Sequence, residues 1–133
     1  MDNLVGIGEA AEWVGLAKKT IRYYEEIGLV TPLRAENGYR QFRHNDIRSL
    51  QVVKRARELG FSIEDSRTLL TLYQAQDRSS AEVKAVAAKQ LEISQQKIAQ
   101  LKRLCRQLEH LTSQCQGNND PDCAILDFLA DIH

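Results

Sequence analysis

From Ser80 to Ser113 the chain contains neither Gly nor Pro and is built mostly from Ala, Leu, Gln, Glu and Lys. Nothing there interrupts a helical hydrogen-bond ladder, so one continuous helix of about 50 Å is expected at 1.5 Å per residue. Its apolar positions fall on a seven-residue repeat, with Leu91, Ile98 and Cys105 in one series and Ala87, Leu101 and Leu108 in the other; Ser94 is the weak place. A chain of 133 residues has little else with which to cover a stripe of that length. Pairing with the same helix of a second chain, parallel or antiparallel, is therefore the economical reading, with a fold-back onto the N-terminal helices as the alternative. A homodimer is expected, with Cys105 a small hydrophobe in its core.

Before that helix the pattern is shorter in pitch. Ile7, Ala10, Ala11 and Val14 repeat as i, i+3, i+4 and i+7, one helical face, and Gly15 supplies a turn. A second helix opens near Ala17, runs through Thr20, Ile21 and Tyr24 and stops at Gly28. Two helices about a Gly turn make a helix-turn-helix pattern. Next, Leu29 to Arg43 changes character: Pro32 breaks any helix, and Asn37-Gly38 is a strong hairpin signal between strands expected at Leu29-Val30 and Tyr39 to Phe42. This small ribbon, or wing, carries Arg34, Arg40 and Arg43 beside Tyr39 and Phe42, guanidinium groups suited to phosphates over packed aromatic bodies. A third helix is expected from about Asn45 to Leu59, closed by Gly60. A fourth opens at Ser62, which with Asp65 resembles a capping box, and runs through Tyr73. Asp77 to Ser80 reads as a break.

The formal net charge is zero, yet the charges are unevenly placed. Trp13 to Arg57 holds ten Lys and Arg against four Asp and Glu, and five of the eight aromatic residues; after Leu111 there are four Asp and no Lys or Arg. An anionic partner for the first part follows, whatever the overall balance. A helix entering a DNA major groove presents side chains from its N-terminal end and exposed face, where Lys18, Lys19, Arg22 and Tyr23 stand. The longest apolar run is four residues, far short of the roughly 20 of a membrane span. With no basic and apolar leader at the N-terminus, a cytoplasmic location without membrane contact is expected.

The last stretch is a Gly, Asn and Asp loop followed by a short helix whose Ile125, Phe128, Leu129 and Ile132 share a face that something must cover. Cys115 and Cys123 bracket the loop, and Gly117 with Asn118-Asn119 allows it to fold back and bring the two sulfurs together. Thiolate pairs select soft monovalent ions such as Cu(I), whereas Zn(II) usually demands four ligands. If Asp120 caps the last helix and Pro121 opens it, Cys123 lies in the first turn, where the helix dipole favours thiolate. Taken alone, the spacing suits a redox disulfide or two unconnected thiols equally. His44 and His110 are expected exposed or capping, and His133 ends the chain. No Ser/His/Asp set, Gly-rich phosphate loop or HExxH motif is present, so an enzyme is not expected.

Together, the start IGEAAEWVGL, the run IRYYEEIGLV, the wing ENGYR, the link RARELGFS and a Cys pair after a long helix resemble the MerR family of transcription regulators, and its copper-responsive branch. The resemblance covers nearly the whole chain. It implies a mainly α fold: a winged helix-turn-helix DNA-binding domain over residues 1–74, an antiparallel dimerisation helix over 75–113, and a metal-binding loop with a short helix over 114–133. By similarity, Arg22 and Tyr23, with Lys19 beside them, touch phosphates or base edges. Arg34, Asn37, Tyr39 and Arg40 hold the flanking backbone, and Arg57 meets a further phosphate. The implied partners are double-stranded promoter DNA with a pseudo-palindromic operator, and RNA polymerase, through an activator that distorts the promoter.

The resemblance also makes Cys115 and Cys123 the metal ligands and Cu(I) the ion, with Ag(I) and Au(I) of the same chemistry. Relatives that sense divalent ions carry a Cys where this chain has Ser80, and that Cys reaches the partner subunit's loop; the copper branch has Ser. Two thiolates and one monovalent cation leave a net negative charge, for which Lys84 is the implied compensating group. Gln116 replaces the Pro usual in the branch, which is expected to loosen the loop. Two other readings stay open: a thiol-redox regulator on the same scaffold, and a cytosolic copper-binding protein without DNA activity.

Overall fold

A computed structural model describes residues 3–119 and 121–131. Six helices and one two-stranded ribbon follow in the order α1 (Ile7–Val14), α2 (Lys18–Glu26), β1 (Leu33–Arg34), β2 (Arg40–Gln41), α3 (His44–Glu58), α4 (Ile63–Gln74), α5 (Ser80–Gln114) and α6 (Ala124–Ala130). The chain divides into two compact units, residues 1–90 and 91–133, with the boundary inside α5. None of the described helices is long and apolar enough to cross a membrane.

In the first unit α1 packs on α2 and α3, and α3 on α4. Ala10 and Val14 from α1, Ile21 and Tyr24 from α2, Ile47, Leu50 and Val53 from α3 and Leu70 from α4 meet in one core. Gly15 takes φ +79° and ends α1, donating its N–H to the Ala11 carbonyl at 2.8 Å, a left-handed position that glycine reaches without strain. At the start of α4, Ser62 Oγ accepts from the Asp65 amide at 3.0 Å, as the sequence pattern predicts.

The wing departs from the expected strands. Leu29 and Val30 are buried core residues, and the Leu29 amide donates to the Tyr24 carbonyl at the end of α2. The first strand therefore lies beyond Pro32, in the register Leu33 with Gln41 and Arg34 with Arg40. That register follows from the turn: the Ala35 amide donates to the Tyr39 carbonyl at 2.9 Å, which closes a three-residue loop of Glu36, Asn37 and Gly38 and pairs residues equidistant from Asn37. An unexpected third segment joins, as Val5 and Phe42 exchange two backbone hydrogen bonds of 3.0 and 2.7 Å. Phe42 is 0% exposed and fastens the wing to the core.

Arg43, grouped with the phosphate-binding residues by sequence, caps α3 instead. Its Nε and Nη2 hold both oxygens of Asp46 at 3.0 and 3.1 Å, and Nη2 also reaches the Thr31 carbonyl at 3.0 Å. Asp46 in turn accepts from the Arg43 amide at 2.8 Å. A buried carboxylate such as Asp46 needs a cation and donors, and the neighbouring guanidinium supplies them.

Along α5 the expected apolar stripe is exposed in the single chain: Leu91, Ile98, Leu101 and Leu108 are 52% to 60% accessible, and Leu104 beside them is 47% accessible. Cys105, on the same stripe, is also exposed. α6 has no buried residue among those described.

Because Leu50 is nearly fully buried and Leu59 is 69% exposed, the two leucines should respond differently to truncation. Leu50→Ala is expected to cost about 2–5 kcal/mol in urea unfolding, and Leu59→Ala about 0.5 kcal/mol or less.

Candidate functional site

The helical period of α2 sorts its side chains. Ile21 and Tyr24 turn into the core, and Lys18, Lys19, Arg22 and Tyr23 are exposed on the other side. The wing beside it is shaped by its own turn. Gly38 takes φ +84°, the Gly38 amide bonds to the Ala35 carbonyl at 2.9 Å, and Asn37 Oδ1 accepts from the Tyr39 amide at 3.1 Å. Asn37 thus folds the turn with its side chain, while Tyr39 stands 74% exposed at the tip.

Two wing arginines converge on one carboxylate. Arg40 Nε donates to Glu25 Oε1 at 2.8 Å, and Arg34 Nη2 donates to the same oxygen at 3.1 Å. Arg34 Nη1 also closes onto the Gly38 carbonyl at 3.1 Å. A cleft of ≈ 410 Å³ opens between the start of α1, α2 and the wing, lined by Gly6, Ile7, Arg22, Arg34, Gly38, Tyr39 and Arg40. The structure therefore brings four of the sequence-predicted residues, Arg22, Arg34, Tyr39 and Arg40, to one cationic concavity suited to an anionic backbone. Arg57 lies elsewhere, with Nη1 donating to the Phe61 carbonyl at 2.7 Å across the α3–α4 turn. Sequence reasoning does not single out Glu25: its partners lie 9 and 15 residues away, a separation that carries no periodic signal.

The thiols form a second site. Cys115 follows the last turn of α5, its amide bonded to the Leu111 carbonyl at 3.2 Å. Gly117 at φ +64° turns the chain, and the two sulfurs come to 3.6 Å of each other as free thiols. The expected helix start is corrected here. Pro121 lies in a bend ahead of the helix, Cys123 is its N-cap with extended backbone, and α6 begins at Ala124; Asp120 and Ile132 lie outside the described residues. The amide N–H of Leu126, the Cys115 sulfur and the amide of Ile125 hold the Cys123 thiol below its ordinary value, against the opposing pull of desolvation and Asp127. The cause anticipated, the helix N-terminus, acts through N-cap amides rather than from within the first turn.

This donor set fits a soft monovalent ion. Among the described residues no cluster of three or more His, Cys, Asp or Glu side chains is placed to ligate. Within the loop, Gln116 Oε1 accepts from Asn118 Nδ2 at 3.1 Å. Ser80 opens α5 and Lys84 follows one turn later, both exposed.

A recognition helix with a basic outer face, beside a wing with its own arginine cluster, defines a winged helix-turn-helix DNA-binding protein. Residues 6–72 match the family described as MerR HTH family regulatory protein, and residues 47–111 match the one described as MerR, DNA binding. The chain belongs to the MerR family, and is a transcription regulator rather than an enzyme. It is 50% identical over 127 residues to the HTH-type transcriptional regulator HmrR of Rhizobium leguminosarum bv. viciae, covering 96% of this chain and 98% of that one. It is 37% identical to the regulator CueR of Escherichia coli O6:H1, over 95% and 94% of the two chains. Among solved structures it is similar to the regulator PbrR691 of Ralstonia metallidurans CH34 in complex with lead(II), with 28% identity, a TM-score of 0.82, and coverage of 95% and 99%.

The depressed Cys123 thiol has a measurable consequence. In a pH series of iodoacetamide labelling followed by mass spectrometry, the Cys123 midpoint should lie below the ordinary thiol value and move up in Cys115→Ala, which removes one of the lowering partners. A midpoint at or above the ordinary value would contradict the N-cap geometry.

Proposed function

We propose that this chain is a homodimeric transcription activator that senses monovalent copper, with silver and gold as chemical equivalents, through Cys115 and Cys123. The observation that carries the reading is the pair of free sulfurs 3.6 Å apart with no third donor among the described residues. The similar structures hold different ions, lead(II) in PbrR691 and mercury(II) in MerR of Bacillus megaterium MB1, so the reading for this chain rests on its own donors. Soft thiolates in a set of two favour a monovalent ion, and a divalent ion wants more ligands than the pair offers.

Cys115 and Cys123 would hold the ion, which would supply a fixed tie between the end of α5 and the start of α6. For that, both thiols must lose their protons, and the N-cap amides facing Cys123 ease one of those losses. In the dimer Ser80 withholds a third sulfur, and Lys84 offsets the surplus negative charge. Ordering of the loop lets α6 dock its apolar Ile125, Phe128 and Leu129 and biases the dimer between two shapes. Lys18, Lys19, Arg22 and Tyr23 read the operator, Arg34, Asn37, Tyr39 and Arg40 hold its backbone, Arg57 meets a further phosphate, and the change in dimer shape distorts the promoter for RNA polymerase. The same sulfur proximity suits a disulfide switch, which differs in needing an oxidant rather than an ion.

Copper titration under strict reducing conditions, read as the footprint on the promoter and as transcription in vitro, tests this. Cys115→Ser and Cys123→Ser should bind the operator as the parent does and fail to respond to copper. Loss of operator binding would make the thiols structural, and a response to oxidant but not to copper would establish the redox switch. Ser80→Cys should extend the response to divalent ions; an unchanged metal profile would contradict the role given to Ser80.

A further inference from the structure

We propose that Glu25 is a positioning residue for DNA binding, holding Arg40 in the orientation from which it meets a phosphate. The proposal rests on the DNA-interface reading of the cleft and adds to it a residue of the wrong charge for DNA. An acid beside a phosphate site ordinarily weakens it by repulsion, so a carboxylate only 18% exposed beneath two arginines needs a physical reason.

The geometry supplies one by dividing the two arginines. Arg34 turns one N–H of each terminal nitrogen inward, Nη1 to the Gly38 carbonyl and Nη2 to Glu25, and keeps the second N–H of each for an anion. It ties the wing's turn to the C-terminal end of α2. Arg40 gives Glu25 only its Nε, at 2.8 and 3.3 Å from the two oxygens. Its two terminal nitrogens make no hydrogen bond among the described residues, while the side chain lines the cleft shared with Arg22. A guanidinium gripped by Nε is fixed in its plane and keeps a two-donor edge for an anion, the forked geometry by which arginine binds phosphate. A free arginine would surrender rotamer entropy on binding; Arg40 has already done so. The same carboxylate fixes the wing against the recognition helix through Arg34, so backbone grip and groove reading share one register.

The sign of the salt dependence separates this role from simple counter-charge. The probe is a duplex selected by the wild-type chain from a randomised pool, with affinity measured by fluorescence anisotropy across a salt series. Glu25→Gln should weaken binding about tenfold, the effect of losing one charge-assisted anchor. The log–log salt slope should become shallower by about 0.9, because one phosphate fewer is neutralised. Arg40→Ala should do the same, and the double variant should lose little more than either single one. Arg40→Lys, which keeps the charge but lacks the Nε grip, should also lose affinity and flatten the slope; it carries the test if Glu25→Gln fails to fold.

Tighter binding with a steeper slope in Glu25→Gln, unchanged binding, fully additive losses in the double variant, or wild-type behaviour of Arg40→Lys would each overturn the proposal. A wild-type chain that selects no duplex at all would instead overturn the interface reading beneath it.

Discussion

The constraint on which the rest depends is an apolar stripe that one chain leaves in water. α5 carries Leu91, Ile98, Leu101, Leu104 and Leu108, each about half exposed or more, along a helix of 35 residues. Exposed leucine in such a regular row is unfavourable in proportion to its area, and a seven-residue repeat is the pattern by which two helices pair. In the proposed dimer this pairing turns one recognition helix and one thiol pair into two of each, related by a twofold axis. A pseudo-palindromic operator is the natural ligand of that symmetry.

At the DNA end the decisive quantity is local charge. The chain is neutral overall, and its basic residues gather on α2 and the wing, where Arg22, Arg34 and Arg40 line one cleft. Within that cluster the structure distinguishes residues by what already holds them. Arg43 is committed to Asp46, whereas Arg40 gives Glu25 its Nε and keeps its terminal nitrogens available. A count of arginines cannot make that distinction; hydrogen-bond partners can.

Much of the fold is legible in the sequence because its signals are local. The face of α1, its stop at Gly15, the turn at Asn37-Gly38, the cap at Ser62 and the uninterrupted α5 each follow from residues a few positions apart. What is not legible depends on distant pairing. Leu29-Val30 reads as the first wing strand because both residues are apolar, whereas the core claims them and the hairpin register sets the strand at Leu33. Val5 gives no hint that it will pair with Phe42. Of the site, the meeting of Cys115 and Cys123 is readable from the loop between them. The ties of Glu25 to Arg34 and Arg40 are not, since they form only once α2 and the wing are folded together.

In the proposed sensor the choice of ion reduces to the number of donors. Two sulfurs already 3.6 Å apart, one of them lowered in pKa by N-cap amides, suit a soft singly charged ion, and a chain that starts α5 with Ser80 adds no third sulfur. The most direct measurement is the X-ray absorption spectrum of the copper-loaded protein in reducing buffer. Two sulfur neighbours about Cu(I) in a near-linear arrangement are predicted; a shell of three or four donors, or one containing nitrogen or oxygen, would contradict two-thiolate sensing.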